Sequence, residues 1–282
     1  MPPIYKTKSD KNRFGNNSHQ VPDRCYEVEM ISKVKEVSFT DEWYEIAVES
    51  HFWMEWRLTA MLKQIKKLNI LLDQELKVLE VGCGTGLLRA EIESVTRWVI
   101  DGADLNMNAL SRTKRCRGRT MYYNIYDEHD AFLEAYDIVI LFDVLEHIKE
   151  TKPFLTSVLR HIKPGGNLLL NVPALQTFYS AYDAIMGHMR RYNRKTLAEE
   201  FINFSFEIED MRYWGMSLLC LLSLRVFMMI LARRSNINIV RLGFSPHSIV
   251  INKLLRSVMR IETTLCSNPP IGASLLMVGR KL

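Results

Sequence analysis

The sequence predicts an α/β fold: a mostly parallel, seven-stranded sheet between helical layers, closed by an antiparallel edge strand. Three observations carry that expectation. The stretch KVLEVGCGTGLL, Lys77 to Leu88, is a short apolar run that breaks into Gly82, Gly84 and Gly86 and resumes as a helix. A second run, Trp98 to Ala103, ends in Asp104, about twenty residues beyond the glycine turn, where α/β nucleotide folds place a ribose-binding carboxylate. Further short runs then alternate with helical stretches: Thr120 to Asn124, Tyr136 to Phe142 and Asn167 to Val172.

The first element sets the chemistry. Glycines permit a tight turn and close approach of backbone to a ligand, and the free N–H groups of the following helix face that ligand. A dinucleotide fingerprint, G-x-G-x-x-G, would need glycine at position 87, which is Leu87. That excludes the nicotinamide oxidoreductase reading. The string VLEVGCGTG instead resembles the first motif of the class I S-adenosylmethionine-dependent methyltransferases, V-L-E/D-x-G-C-G-x-G. The later landmarks follow in the same order as in that family: Asp104, the third strand, DVLEHI after the fourth, and the LRHIKPGG turn before the fifth. The likeness covers roughly Leu76 to Pro173.

The resemblance implies a Rossmann-like methyltransferase fold, S-adenosylmethionine as cofactor, and a binding set of Glu80, Gly82, Cys83, Gly84, Thr85, Gly86, Asp104, Leu105, Asp127, Phe142 and Asp143. Asp104 could accept from both ribose hydroxyls, or cap the helix near Met107, a task Asn106 could take instead. Asp127 would lie near the adenine, although the neighbouring Glu128 and Asp130 also suit a solvated loop. Ahead of the glycine turn, Glu42 to Leu72 reads as a helical cover with apolar Leu58, Met61, Leu62, Ile65 and Leu68. Its Arg57 is either a bidentate partner for the methionyl carboxylate, as in some relatives, or a surface charge beside Glu55.

Asp143, Glu146 and His147 follow the fourth strand. A helix opening at Asp143 would bring all three onto one face. Two mechanisms suit them. His147 could be the base for an acceptor hydroxyl, or the group could hold a divalent ion that lowers the hydroxyl's pKa; no metal ligand set is assigned. The similarity here is to quinone-type O-methyltransferases. Helix capping by Asp143 is the plain alternative.

The segment NVPALQTFYSAYDAIMGHMRRYNRKTL is too long for an ordinary strand-to-helix loop. Its G-H-x-R-R-Y string is similar to one in a methyltransferase subgroup, many of them linked with envelope glycans, lipids or quinones. His188 is a second candidate base. Tyr182, Asp183, Arg190 and Arg191 are candidate acceptor contacts, the arginines being alternatively a basic cap paired with Glu199 and Glu200. A sixth strand, Phe206 to Arg212, should pair with Leu275 to Gly279, and some sixty residues separate them. Trp214 to Ala232 is apolar but carries Arg225 at its middle, which argues against a bilayer span. The alternatives are a lid or interfacial helix flanked by Arg233, Arg234, Arg241, Lys253, Arg256 and Arg260, or a buried helix of a cap. The Asn268-Pro269-Pro270 string lies before the last strand, so it is not the amine-gripping motif that belongs after the fourth.

Composition agrees with one elaborated domain: 282 residues, 48% hydrophobic, net charge +5. The positive residues cluster without a broad nucleic-acid footprint. Five cysteines without a C-x-x-C pair suit a reducing cytoplasm, and the polar first twenty residues lack a secretory h-region. The expected organisation is a mobile tail over 1–20, a helical cover over 21–75 and a methyltransferase domain over 76–282, with an acceptor loop at 174–193 and a helical insertion at 213–272. The expected activity is methyl transfer to an oxygen of a small-molecule, lipid-linked or glycan acceptor, with no nucleic-acid partner, in the cytoplasm or at the membrane periphery. The alternative is a cofactor-binding, membrane-associated assembly protein with little catalysis.

Overall fold

The computed structural model describes residues 27–34, 52–113, 116–232, 249–266 and 268–282. The expected tail at 1–20, the start of the covering helix and Arg233, Arg234 and Arg241 lie outside them.

Strands β1 (Val28–Met30), β2 (Lys77–Val81), β3 (Val99–Asp104), β4 (Thr120–Tyr122), β5 (Tyr136–Phe142), β6 (Ile162–Pro173), β7 (Phe206–Trp214) and β8 (Ser274–Lys281) form one sheet in the order β1-β4-β3-β2-β5-β6-β8-β7. Only β8 runs against its neighbours, pairing antiparallel with both β6 and β7. Seven strands are those expected. The eighth, β1, lies inside the segment expected to be purely helical, and it pairs in parallel with β4 through Val28↔Thr120 and Met30↔Tyr122. The antiparallel strand sits one place in from the edge, which β7 forms.

Each central strand buries both faces, as a parallel sheet covered by helices must. In β5, Val139 and Leu141 point into one core while Ile138 and Ile140 point into the other. The first core is covered by α4 (Thr151–His161) and α6 (Arg194–Glu199), through Phe154, Leu155, Val158 and Leu197. The second is covered by α1 (Phe52–Lys67), α2 (Leu87–Val95) and α8 (Ile249–Leu265), through Trp56, Met61, Ile65, Leu88, Ile92 and Met259. Short helices α3 (Met107–Leu110) and α5 (Ala181–Ile185) follow β3 and the β6 loop. The apolar stretch after Trp214 becomes a turn at Met216–Leu218 and then α7 (Leu219–Ala232). No helix among the described residues is long and apolar enough to cross a membrane.

Candidate functional site

The carboxyl ends of β2, β3, β5 and β6 adjoin one another, and the candidate residues gather there. Val81 pairs with Ala103, so the glycine turn and Asp104 leave neighbouring strands at the same level. Gly82, Gly84 and Gly86 all have φ between 52° and 77°. A Cβ at Gly82 would lie 2.4 Å from Val144 Cγ2, so this backbone conformation and its close approach both require glycine. Asp104 Oδ2 accepts from the Gly84 N–H at 2.7 Å and Oδ1 from the Asn106 N–H at 2.8 Å. The helix cap belongs to Asn106, whose Oδ1 accepts from the Ala109 N–H at 3.1 Å. Asp104 is thereby left facing the turn, and burial raises its carboxyl pKa against the opposing backbone hydrogen bonds.

Beneath the turn, Glu80 is buried with Oε2 unpartnered, and burial pushes its carboxyl up to about 8 despite the Arg89 and Arg57 charges. Cys83 is buried, and its N–H donates to Ala103 O at 3.1 Å. Thr85 and Leu105 are half-buried on the turn and after β3. Asp127 ends the Ile125–Asp127 turn and is exposed.

Arg57 is buried rather than a surface charge. Its Nη1 donates to Asp143 Oδ2 at 2.6 Å, its guanidinium lies 5.7 Å from the Phe142 ring centroid, and its Nε has no partner. Asp143 does not open a helix. It has φ 58°, and a single 3-10 turn follows at Leu145–His147. The expected Asp143–Glu146–His147 face therefore does not form. Asp143 turns toward Arg57 and Asn171, whose Nδ2 donates to Asp143 Oδ1 at 2.6 Å, while Trp214 Nε1 donates to Asn171 Oδ1 at 2.9 Å.

Glu146 and His147 meet His188 instead. The two imidazole centroids lie 4.7 Å apart, edge to face, and one ligand atom from each of Glu146, His147 and His188 falls within 4.8 Å of the others. The loop after β6 is pinned to the turn by the Met189 N–H, which donates to Glu146 O at 2.8 Å. Burial lowers the His147 pKa to about 4, and the His188 charge adds to this. Burial also pushes the Glu146 carboxyl well above its ordinary value, as does Asp143.

Asp183 lies behind His188, not on an open acceptor surface. It is fully buried; its Oδ1 is 3.1 Å from His188 Nδ1 and accepts from Arg191 Nε at 2.8 Å, while Oδ2 accepts from the Ser180 N–H at 2.9 Å. Burial opposes its ionisation, but hydrogen bonds from His188 and Arg191 outweigh that and hold the carboxyl below its ordinary range. Arg191 is thus an internal counter-charge, not a basic cap. Arg190 stays nearer solvent, donating to Lys149 O at 3.0 Å, with Glu200 3.9 Å away. Tyr182 is buried in α5.

Sequence reasoning missed Arg89, Asn171 and Trp214. Arg89 is wholly buried and donates to Arg119 O and Thr120 Oγ1, tying α2 to β4. Its signal was Gly102, where a Cβ would lie 2.7 Å from Arg89 Nη1.

The glycine turn, the facing carboxylate and the strand order define a class I methyltransferase architecture. The described residues suit its cofactor: an unpartnered Arg57 Nε, an unpartnered Glu80 Oε2 and a turn whose three glycines hold left-handed φ. The family profile of the methyltransferase domain matches residues 53–210, and the chain belongs to that family. A Mycolicibacterium smegmatis protein named as a probable S-adenosylmethionine-dependent methyltransferase is 30% identical over 141 residues, 47% of this chain and 52% of that one. A ubiquinone biosynthesis O-methyltransferase of Vibrio atlanticus is 32% identical over 117 residues, 39% of this chain and 48% of that one. The chain thus spans about half the length of these curated relatives. The crystal structure of an S-adenosylmethionine-dependent methyltransferase from Mesorhizobium loti shares the fold, with TM-score 0.51 and 12% identity, over 78% of this chain and 97% of that one.

Proposed function

We propose that the protein transfers the methyl group of S-adenosylmethionine to a hydroxyl oxygen of a small-molecule, lipid-linked or glycan acceptor. The observation that carries this reading is the Asp183–His188 pair, docked beside the strand ends that hold the glycine turn and Asp104.

When bound, S-adenosylmethionine supplies an electrophilic methyl group on a sulfonium. Asp104 and the Gly82–Gly86 turn would hold the nucleoside, and Arg57 the methionyl carboxylate. Asp183 accepts from His188 Nδ1–H, which fixes the tautomer and leaves Nε2 to receive the acceptor hydroxyl's proton. In such a transfer the carbon–sulfur bond would break as the oxygen–carbon bond formed, the electron pair leaving on sulfur. The products are a methyl ether, S-adenosylhomocysteine and a proton on His188. Asp183, buried and held ionised, stabilises that imidazolium. The name of the Vibrio relative, an O-methyltransferase, supports oxygen as the acceptor atom.

A second reading rests on the Glu146, His147 and His188 cluster. His188 Nδ1 is fixed by Asp183 and His147 is held by a hydrogen bond to the Gly187 backbone, the kind of outer support that metal-binding imidazoles have. A divalent ion held there would lower the acceptor hydroxyl's pKa. Turnover before and after chelation separates the two: activity that survives complete chelation leaves His188 as the base, and activity lost to the chelator and restored by added metal replaces that role with metal binding.

A further inference from the structure

We propose that α7 and α8 form a docking surface for an anionic lipid bilayer, an interaction that stands independently of the reaction above.

The inner face of α8 is fully engaged. Asn252 Oδ1 accepts from the Phe52 N–H at 3.1 Å, Arg256 Nη2 lies 2.8 Å from Glu55 Oε1, and Met259 is buried. Glu262 accepts from the Met216 and Ser217 N–H groups at 2.9 and 2.7 Å, locking the helix to the turn before α7. These contacts fix which face remains outward. At 3.6 residues per turn, Ile251, Leu254, Val258, Ile261 and Leu265 fall within about 80° of arc on that outward side. Four of them are exposed, Leu254 by 63% and Leu265 by 81%. Such a continuous stripe on an already anchored helix has no role in the core beneath it. On α7, Leu221, Leu224 and Phe227 are also exposed, at three-residue spacing.

Charge selects the occupant. From Gly215 to Ile261 the chain carries seven Lys and Arg residues and no Asp or Glu. Over the whole insertion, 213–272, Glu262 brings the balance to +6; since the whole chain is +5, the remainder is formally −1, and the net positive charge resides in this insertion. Lys253 and Arg260 are exposed on one side of the α8 stripe, with Ser257 and Thr264 on the arc between. An apolar face bordered by hydroxyls and then cations is the pattern of a helix lying in a lipid interface, where each cation near an anionic surface strengthens binding. At 14 and 17 residues the helices suit that plane better than a span. The surface also borders the acceptor loop, because α7 packs against Gln176–Phe178, and Ile185 and Met189 on that loop are exposed. The family match ends at residue 210, before the insertion.

The test is co-sedimentation of the full chain with phosphatidylglycerol-containing vesicles and with phosphatidylcholine vesicles, over a salt series. The expected result is pelleting with the anionic vesicles, weakened by salt, and at least ~10-fold weaker affinity in both Lys253→Glu/Arg260→Glu and Leu254→Glu/Ile261→Glu. Cofactor affinity should be unchanged in both, which shows that they fold. If the apolar double variant fails to fold, the charge variant, altering only exposed side chains, decides alone. Wild-type protein that stays in the supernatant, or variants that bind like wild type, would overturn the proposal. So would a concentration-dependent dimer that the stripe substitutions dissociate, since the face would then belong to a second copy.

Discussion

Asp183 and His188 form a hydrogen-bonded pair across the tight turn at Gly187, with the Asp183 carboxylate buried and His188 Nδ1 3.1 Å from it. If this pair supplies the base, His188→Ala lowers kcat by about 10²-fold or more while leaving cofactor affinity unchanged. Asp183→Asn should lower kcat in the same direction and alter its pH profile, because the imidazolium loses its partner. Calorimetry for the cofactor and initial rates across pH check both. Equal loss of cofactor binding would instead indicate a structural defect.

The glycine turn and Asp104 predict a separate phenotype. Asp104→Ala removes the carboxylate that braces Gly84, and Gly84→Val forces a β-branched side chain to φ 52°. Both variants should lose S-adenosylmethionine affinity. Wild-type affinity in both, by calorimetry, would remove this turn from the cofactor site.

Much of this was legible in the sequence because the signals were local. Strands Lys77–Val81 and Tyr136–Phe142 have the expected bounds, since each is a buried apolar run stopped by glycine or a polar turn. Strand Val28–Met30 is only three residues long and half exposed, so its pairing with Thr120–Tyr122 defines it rather than any periodicity. The side-by-side reading of Asp143, Glu146 and His147 assumed α-helical spacing, which the left-handed Asp143 and the 3-10 turn remove. Arg191 reads in the sequence as an acceptor contact or a basic cap within an R-R pair. Its partner, Asp183, lies eight residues upstream across two turns, a relationship no pattern of spacing encodes.

The Trp214–Asn171–Asp143–Arg57 chain connects the sheet edge to the covering helix α1. Asn171 is fully buried and engages both neighbours. Asn171→Ala should destabilise the fold by about 1–3 kcal/mol through the buried groups it leaves unpaired. It should also weaken cofactor binding by releasing Asp143. Thermal unfolding and calorimetry on one preparation check the two effects.

Titration gives two opposite stability signatures. Glu80, raised to about 8, keeps in the folded protein a proton that the unfolded chain releases above about 4.5; its contribution is full below that value and is lost as pH rises through 8. Glu80→Gln should therefore flatten the fall in Tm between pH 5 and pH 8, by roughly the range these values span. His147, lowered to about 4, behaves in the other sense. Its contribution is present above its ordinary 6.5 and is lost as pH falls toward 4, so His147→Gln should flatten the acid limb. Melting curves from pH 4 to pH 8 measure both.

The most direct test of the account is to incubate the wild-type protein and the Asp104→Ala and His188→Ala variants with methyl-labelled S-adenosylmethionine and separate lipid and aqueous cell extracts. The account predicts label transferred to an alkali-stable methyl ether by the wild type, none by Asp104→Ala for want of cofactor, and strongly reduced transfer by His188→Ala. No transfer into either extract by wild-type protein that binds the cofactor tightly would contradict it.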